Sequence, residues 1–261
     1  MSEKVFSTLI VAEEGDVLWI TLSNPPRKNA IGPVMVNELL HALEDAMAAP
    51  GVRSIVLTGA GDAFCAGGDF AQMSGGGPAG ELPPKGDYAD LLMAITNAPK
   101  PVVARVNGHA LGGGLGLVAA AHFAIGAHGA KLGTPEINVG LFPMMIMAVL
   151  QRHVPRRRLL EMMLLGQRLD ADEAVSYGLL NRAVVREALD AAVAEVTQAL
   201  AAKSPIAVRL GLEAFTAQDD LDLETALPLL RERLGVCLST DDAREGLTAF
   251  LEKRAPRWSG K

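Results

Sequence analysis

Two stretches of this chain share one grammar: Ala63-Phe64-Cys65-Ala66-Gly67-Gly68-Asp69-Phe70 and Val106-Asn107-Gly108-His109-Ala110-Leu111-Gly112-Gly113-Gly114. Each is a β-prone apolar run that enters a glycine turn and leaves into helix-forming sequence. Glycine there permits backbone dihedrals closed to other residues and lets a ligand approach the main chain closely. The N–H groups at a helix start have no intrahelical partner and point outward. Two such turns facing one another make an oxyanion hole, where each donor is worth about 2.7–4 kcal/mol in acyl-transfer enzymes. Tight packing of a helix on a strand calls for the same glycines, so one turn by itself leaves both readings open.

Around these turns the pattern alternates between strand and helix. Residues 5–11 and 17–22 read as a hairpin joined at Glu13-Glu14-Gly15-Asp16, and residues 34–48 as a helix with Val36, Leu40, Leu43 and Met47 on one face. Residues 54–58, 101–106 and 123–127 read as buried strands, with a small-residue helix over 115–121. After about residue 185 only helical periodicity remains. The expectation is an α/β fold in which a strand-strand-helix unit recurs, with residues 1–200 as core and 201–261 as a helical appendage. Between the glycine turns, residues 74–87 (SGGGPAGELPPKGD) read as a surface loop able to close over a ligand.

Composition narrows the function. The chain has 261 residues, 49% of them hydrophobic, and a net charge of −6, which argues against a nucleic-acid binder built on a basic face. Cys65 and Cys237 cannot form a disulfide framework, and no apolar run reaches the roughly 20 residues of a membrane span. A cytoplasmic protein is expected. The run from Gly112 to Leu117 fails the dinucleotide fingerprint because Leu117 stands where its third glycine would be. The run from Gly75 to Gly80 continues with Glu81 instead of the lysine of a phosphate loop, and neither zinc-ligand spacing nor a serine-nucleophile elbow occurs. No metal and no resident cofactor are expected.

Three phrases in order, FCAGGDF (64–70), KPVVARVNGHALGGG (100–114) and GTPEINVGLFP (133–143), resemble the crotonase superfamily, the enoyl-CoA hydratase/isomerase family. The resemblance runs from about Val5 to GLTAFLEKRAPRW at the carboxy terminus. It implies a spiral of ββα units followed by helices that build a trimer, often paired into a hexamer. It also implies an acyl-CoA substrate whose thioester oxygen is bound by the N–H groups of Gly68 and Gly113. Ala66, Arg27, Lys28 and Phe70 match regions that contact the CoA or acyl group in relatives, as do Phe250 and Lys253 from a neighbouring subunit.

In hydratases of this family two glutamates flank the substrate. The resemblance carries one of them onto Glu136, between Pro135 and Ile137, while the other's place is taken by Gly116. A single base can take a proton from one carbon and return it two carbons away, whereas hydration divides its work between two carboxylates. Glu136 is followed by Val139, Leu141 and Phe142, apolar company that favours the neutral carboxyl and suits a general base. Where hydratases of the family usually carry a glycine-rich turn, this chain has Pro143-Met144-Met145-Ile146-Met147. These methionines read as core first and as lining of an acyl site second. Gly116, Phe142 and Met144 complete the expected substrate side.

His109, His122, Asp69 and Cys65 read as structural, with Asp69 a helix cap. The leading expectation is enolate chemistry on an acyl-CoA thioester, with 3-enoyl to 2-enoyl isomerisation ahead of hydration of a 2-enoyl-CoA. Decarboxylation of an acyl thioester through Gly68 and Gly113, and binding of acyl-CoA without turnover, are the alternatives.

Overall fold

The computed structural model describes residues 4–73 and 80–261. Two antiparallel strands open the chain, β1 (Leu9–Glu14) and β2 (Val17–Leu22), turning at Gly15 with φ +64°. Residues 5–8, expected as strand, are instead tied to the first helix, α1 (Pro33–Ala48). The buried carboxylate of Glu38 accepts the N–H groups of Ser7 at 2.7 Å and Thr8 at 2.8 Å, so these amides bond to a side chain and not to a neighbouring strand.

The recurring unit then appears three times. β3 (Ser54–Gly59) and β4 (Ala63–Cys65) lead into α2 (Phe70–Met73) and α3 (Tyr88–Thr96). β5 (Val102–Val106) and β6 (His109–Leu111) lead into α4 (Gly113–Ala120). β7 (Phe123–Ala127) and β8 (Leu132–Gly133) lead into a 3-10 turn at Pro135–Val139. The chain continues through α5 (Met144–Leu150), α6 (Arg156–Leu165), β9 (Arg168–Leu169), α7 (Ala171–Ser176), β10 (Arg182–Val184) and α8 (Leu189–Ala201). It closes with α9 (Pro205–Gln218), α10 (Leu223–Leu238) and α11 (Asp241–Glu252).

The first strand of each unit joins one sheet and the second joins another. The larger sheet has the order β1-β2-β3-β5-β7-β10 and is parallel from β2 onward; the smaller has the order β4-β6-β8-β9, with β4, β6 and β8 parallel. Parallel strands require crossover connections, and here the second strand and helix of each unit provide them. The central strands of the larger sheet, β3, β5 and β7, are buried on both faces. Leu18, Ile20, Ile55, Leu57 and Ala104 point to the core shared with α1, α3 and α4, while Val17, Val56, Val103 and Ile125 meet Leu189 and Val193 of α8. The period of two along each strand sets this division.

Stacking the smaller sheet in parallel has one consequence for chemistry. The ends of β4, β6 and β8 lie side by side, so the segments that follow them, Ala66–Asp69, Gly112–Gly114 and Thr134–Glu136, share one edge of the molecule. At the carboxy terminus, buried Asp242 accepts N–H groups from Ser259 and Gly260 and the hydroxyl of Ser204, which fastens the tail to α9. Among the described residues no helix is long and apolar enough to cross a membrane.

Candidate active site

Residues 28–31 run alongside 66–69 and fix the first glycine turn. Ala66 N–H donates to Lys28 O at 3.0 Å, Ile31 N–H to Gly67 O at 2.8 Å, and Asp69 N–H to Ile31 O at 2.8 Å. In such a ladder alternate amides point to opposite sides. The Gly67–Gly68 peptide is trans, so with its carbonyl accepting from Ile31 the N–H of Gly68 is directed away from residues 28–31. Gly67 makes the turn with φ +112°, a region closed to residues with a side chain.

The second turn is built the same way. Gly112 caps α4 with φ +50° and donates its own N–H to Gly133 O at 2.9 Å. Gly113 is the first residue of that helix, so its N–H has no intrahelical partner. The helix begins two residues earlier than its apolar pattern suggests, because the glycines themselves form the first turn. Cys65, whose thiol burial pushes up to about 11, packs under this turn, and a side chain at Gly114 would strike it.

Gly68, Gly113 and Glu136 line one cavity of about 530 Å³, within the range of small-molecule sites. Ile31, Val36, Leu141, Phe142, Met144, Met145 and Ile146 make its walls largely apolar. Glu136 enters from the first turn of the segment after β8, where Pro135 starts the 3-10 turn. Its Oε1 lies against Gly112, close enough that a β-carbon on that glycine would approach it to 2.8 Å. Its Oε2 is buried without a hydrogen-bond partner among the described residues. Burial raises the pKa of this carboxyl, opposed only by a backbone hydrogen bond. The result is an unbound carboxyl oxygen in a largely apolar cavity that Gly68 and Gly113 also line.

Gly116 does not line the cavity. The position its side chain would occupy is filled by the Tyr88 hydroxyl and by Ile146. Tyr88 leaves the N-terminus of α3, where Asp87 caps the helix by accepting the N–H groups of Ala89 and Asp90, and its hydroxyl donates to Gly113 O at 2.5 Å. Burial holds the Tyr88 hydroxyl well above the ordinary tyrosine range, and nearby Cys65 and Glu136 act in the same direction. Sequence reading missed Tyr88 because 25 residues separate it from the carbonyl it meets. The local signal was the capping pair Asp87 and Asp90, which marks the helix start but not what the helix points at.

The other expected residues divide. Phe142 and Met144 belong to the cavity, and Met144 and Met145 are exposed at it, which corrects their reading as core: α5 turns its Ile146 and Leu150 inward instead. Arg27 pairs with buried Asp69 at 2.8 Å, and Asp69 also accepts the N–H of Gln72, as the capping reading requires. Ala66 and Lys28 sit on the same turn pairing but outside the cavity lining. Phe250 and Lys253 lie exposed at the end of α11. The side chain of Phe70, and residues 74–79 of the glycine- and proline-rich loop, lie outside the described residues. His122 is structural: burial pushes it down to about 4, and its Nδ1 accepts the N–H of Val102 at 3.0 Å. His109 is exposed on β6 and accepts the N–H of Lys131. Among the described residues no three His, Cys, Asp or Glu side chains gather as a metal-ligand set.

A fold of repeated ββα units with paired glycine turns and a buried carboxyl defines a class, and comparison with known proteins agrees. The family described as enoyl-CoA hydratase/isomerase matches residues 12–261. The chain belongs to that family, within the crotonase superfamily, and is an enzyme of it. The crystal structure of an enoyl-CoA hydratase from Mycobacterium smegmatis superposes with a TM-score of 0.88 at 33% identity, covering 96% of this chain and 98% of that one. An enoyl-CoA hydratase from Bacillus anthracis gives 0.89 at 31% identity, covering 98% and 100%. Enoyl-CoA hydratase domain-containing protein 3 of Rattus norvegicus is 33% identical over 241 residues, 92% of this chain and 80% of the relative.

Proposed function

We propose that this enzyme isomerises 3-enoyl-CoA thioesters to 2-enoyl-CoA thioesters with Glu136 as its single base. In this reading the thioester oxygen accepts the N–H groups of Gly68 and Gly113. Glu136 takes a proton from C2, and the electron pair left behind moves into the thioester as an enolate, whose charge the two preorganised donors stabilise. The same carboxyl then gives a proton to C4 as the double bond settles between C2 and C3. Atoms balance without water, and Glu136 ends in the state it began in.

The observation that carries the choice of reaction is at Gly116. The Tyr88 hydroxyl and Ile146 fill the space beside it, so neither a second carboxylate nor a water held by one has room there. The other carboxylate along the cavity, Asp87, is engaged as the cap of α3. Hydration of 2-enoyl-CoA is the second reading, favoured by the names of the relatives. The apolar walls, Phe142 and Met144 among them, suit a hydrocarbon acyl chain. Ala66, Arg27, Lys28 and Phe70 are the proposed contacts on this subunit, with Phe250 and Lys253 reaching the CoA of a neighbour in a trimer or hexamer. Residues 1–200 form the proposed catalytic core and 201–261 the assembly region.

The test is product analysis by chromatography, offering the enzyme 3-enoyl-CoA and 2-enoyl-CoA separately. A bond shift from the first with little water addition to the second is the expected result. Water addition to the second with no bond shift would transfer the assignment to hydration. The Glu136→Gln variant separates the remaining readings, since decarboxylation through Gly68 and Gly113 would survive it, and silence of the parent enzyme on every thioester would leave binding alone.

A further inference from the structure

Among the described residues, Glu136, Asp87 and Tyr88 are the polar side chains lining the cavity, and Asp87 is spent on capping α3. Tyr88 is the one without an assigned part. Its position is closely specified. The hydroxyl donates to the carbonyl of Gly113, a residue that lines the cavity, and lies in the space a side chain on Gly116 would need, beside Ile146. A β-carbon on Gly113 would itself approach that hydroxyl to 3.5 Å. Glu136 meets the same turn at Gly112. The two polar side chains thus touch neighbouring residues of one glycine turn, one as an acid and the other as a phenol committed to a backbone carbonyl.

We propose that Tyr88 determines which reaction the enolate site performs, by occupying with its ring and hydroxyl the place from which a water would reach the acyl chain. This rests on the isomerase reading above. Water addition needs an oxygen nucleophile within reach of C3. Its oxygen bonds to C3, the C2–C3 π pair moves onto the thioester enolate, one water proton goes to a base, and a proton then closes C2. Glu136 can serve as that base, so the absence of a second carboxylate does not alone forbid the reaction; exclusion of the water does. A phenol that has donated its one proton to Gly113 O cannot take up a proton from water, and its hydroxyl, with Ile146, already fills the space beside Gly116. The same hydrogen bond fixes the carbonyl of the oxyanion-hole residue, so Tyr88 is also a positioning residue for Gly113.

The experiment uses full-length enzyme and its Tyr88→Phe and Tyr88→Ala variants, given 3-enoyl-CoA in water enriched in oxygen-18. The readout is the ratio of labelled 3-hydroxyacyl-CoA to 2-enoyl-CoA at early times, by mass spectrometry. The parent enzyme should give almost no label. Tyr88→Ala should raise the ratio at least tenfold, and Tyr88→Phe, which keeps the ring but opens the space of one oxygen atom, should raise it less. Should Tyr88→Ala fail to fold, Tyr88→Phe carries the test alone, and a several-fold rise is then required. An unchanged ratio in every folded variant, while the parent isomerises, overturns the role of Tyr88 and leaves the isomerase reading standing. Extensive labelling by the parent enzyme overturns the isomerase reading, and the role of Tyr88 with it.

Discussion

At the scale of single residues, the site turns on one carboxyl whose surroundings disfavour its charge. Burial raises the pKa of Glu136, and in the proposed role of base it works only when ionised. Activity should therefore be lost as pH falls through that raised value, at a pH above the range where an ordinary glutamate titrates. A kcat/KM profile on 3-enoyl-CoA checks this, and an acid limb at or below pH 4.3, roughly the unperturbed glutamate value, contradicts it. The residue was legible in the sequence because Pro135 and Ile137 frame it within a longer phrase. The meaning of Gly116 was only half legible. Sequence shows that a side chain is missing there, whereas what fills the gap, Tyr88 and Ile146, comes from two other helices.

At the scale of elements, local pattern explains most of what formed and tertiary pairing explains the exceptions. β7 spans 123–127 as its apolar run suggests, and the hairpin turns at Gly15. β1 starts late because Glu38 on α1 captures the backbone of Ser7 and Thr8, a contact that sequence separation conceals. The strands β4, β6 and β8 are only two or three residues long, too short for periodicity to reveal them; their glycine-rich exits were the stronger signal. The start of α3 matters most for the chemistry because it aims Tyr88. Asp87 and Asp90 form a reciprocal cap there. Asp87→Ala should cost about 0.5–2 kcal/mol, the usual loss for a removed N-cap. In urea unfolding this shows as a lower midpoint at unchanged slope, and a midpoint equal to that of the parent enzyme would mean α3 does not depend on its cap.

The whole molecule presents the site at an edge where three parallel strands end together, and leaves its carboxy-terminal helices with much apolar surface. Phe250 is 81% exposed and Leu251 80%, with Leu223, Leu227 and Leu234 exposed on α10. Exposed apolar side chains in such number are a mark of an interaction surface. The proposed trimer would cover them, and light scattering on the eluted protein should report three or six times the chain mass. The paired change Phe250→Asp and Leu251→Asp should shift it toward the single chain; an unmoved mass would place any interface elsewhere. That the chain is helical after about residue 185 was plain from its periodicity. Which faces of those helices pack inward depends on the remainder of the fold.

Whether one carboxyl carries a proton from C2 to C4 is read from a labelled substrate. 3-Enoyl-CoA deuterated at C2 is converted in ordinary water, and the product is read by mass spectrometry and NMR, alongside the Glu136→Gln variant. Transfer by Glu136 gives 2-enoyl-CoA with part of the deuterium at C4, and a rate at least about a hundredfold lower in the variant, the lower end of what a general base contributes. Conversion with no deuterium reaching C4, at a rate unchanged by Glu136→Gln, would contradict it.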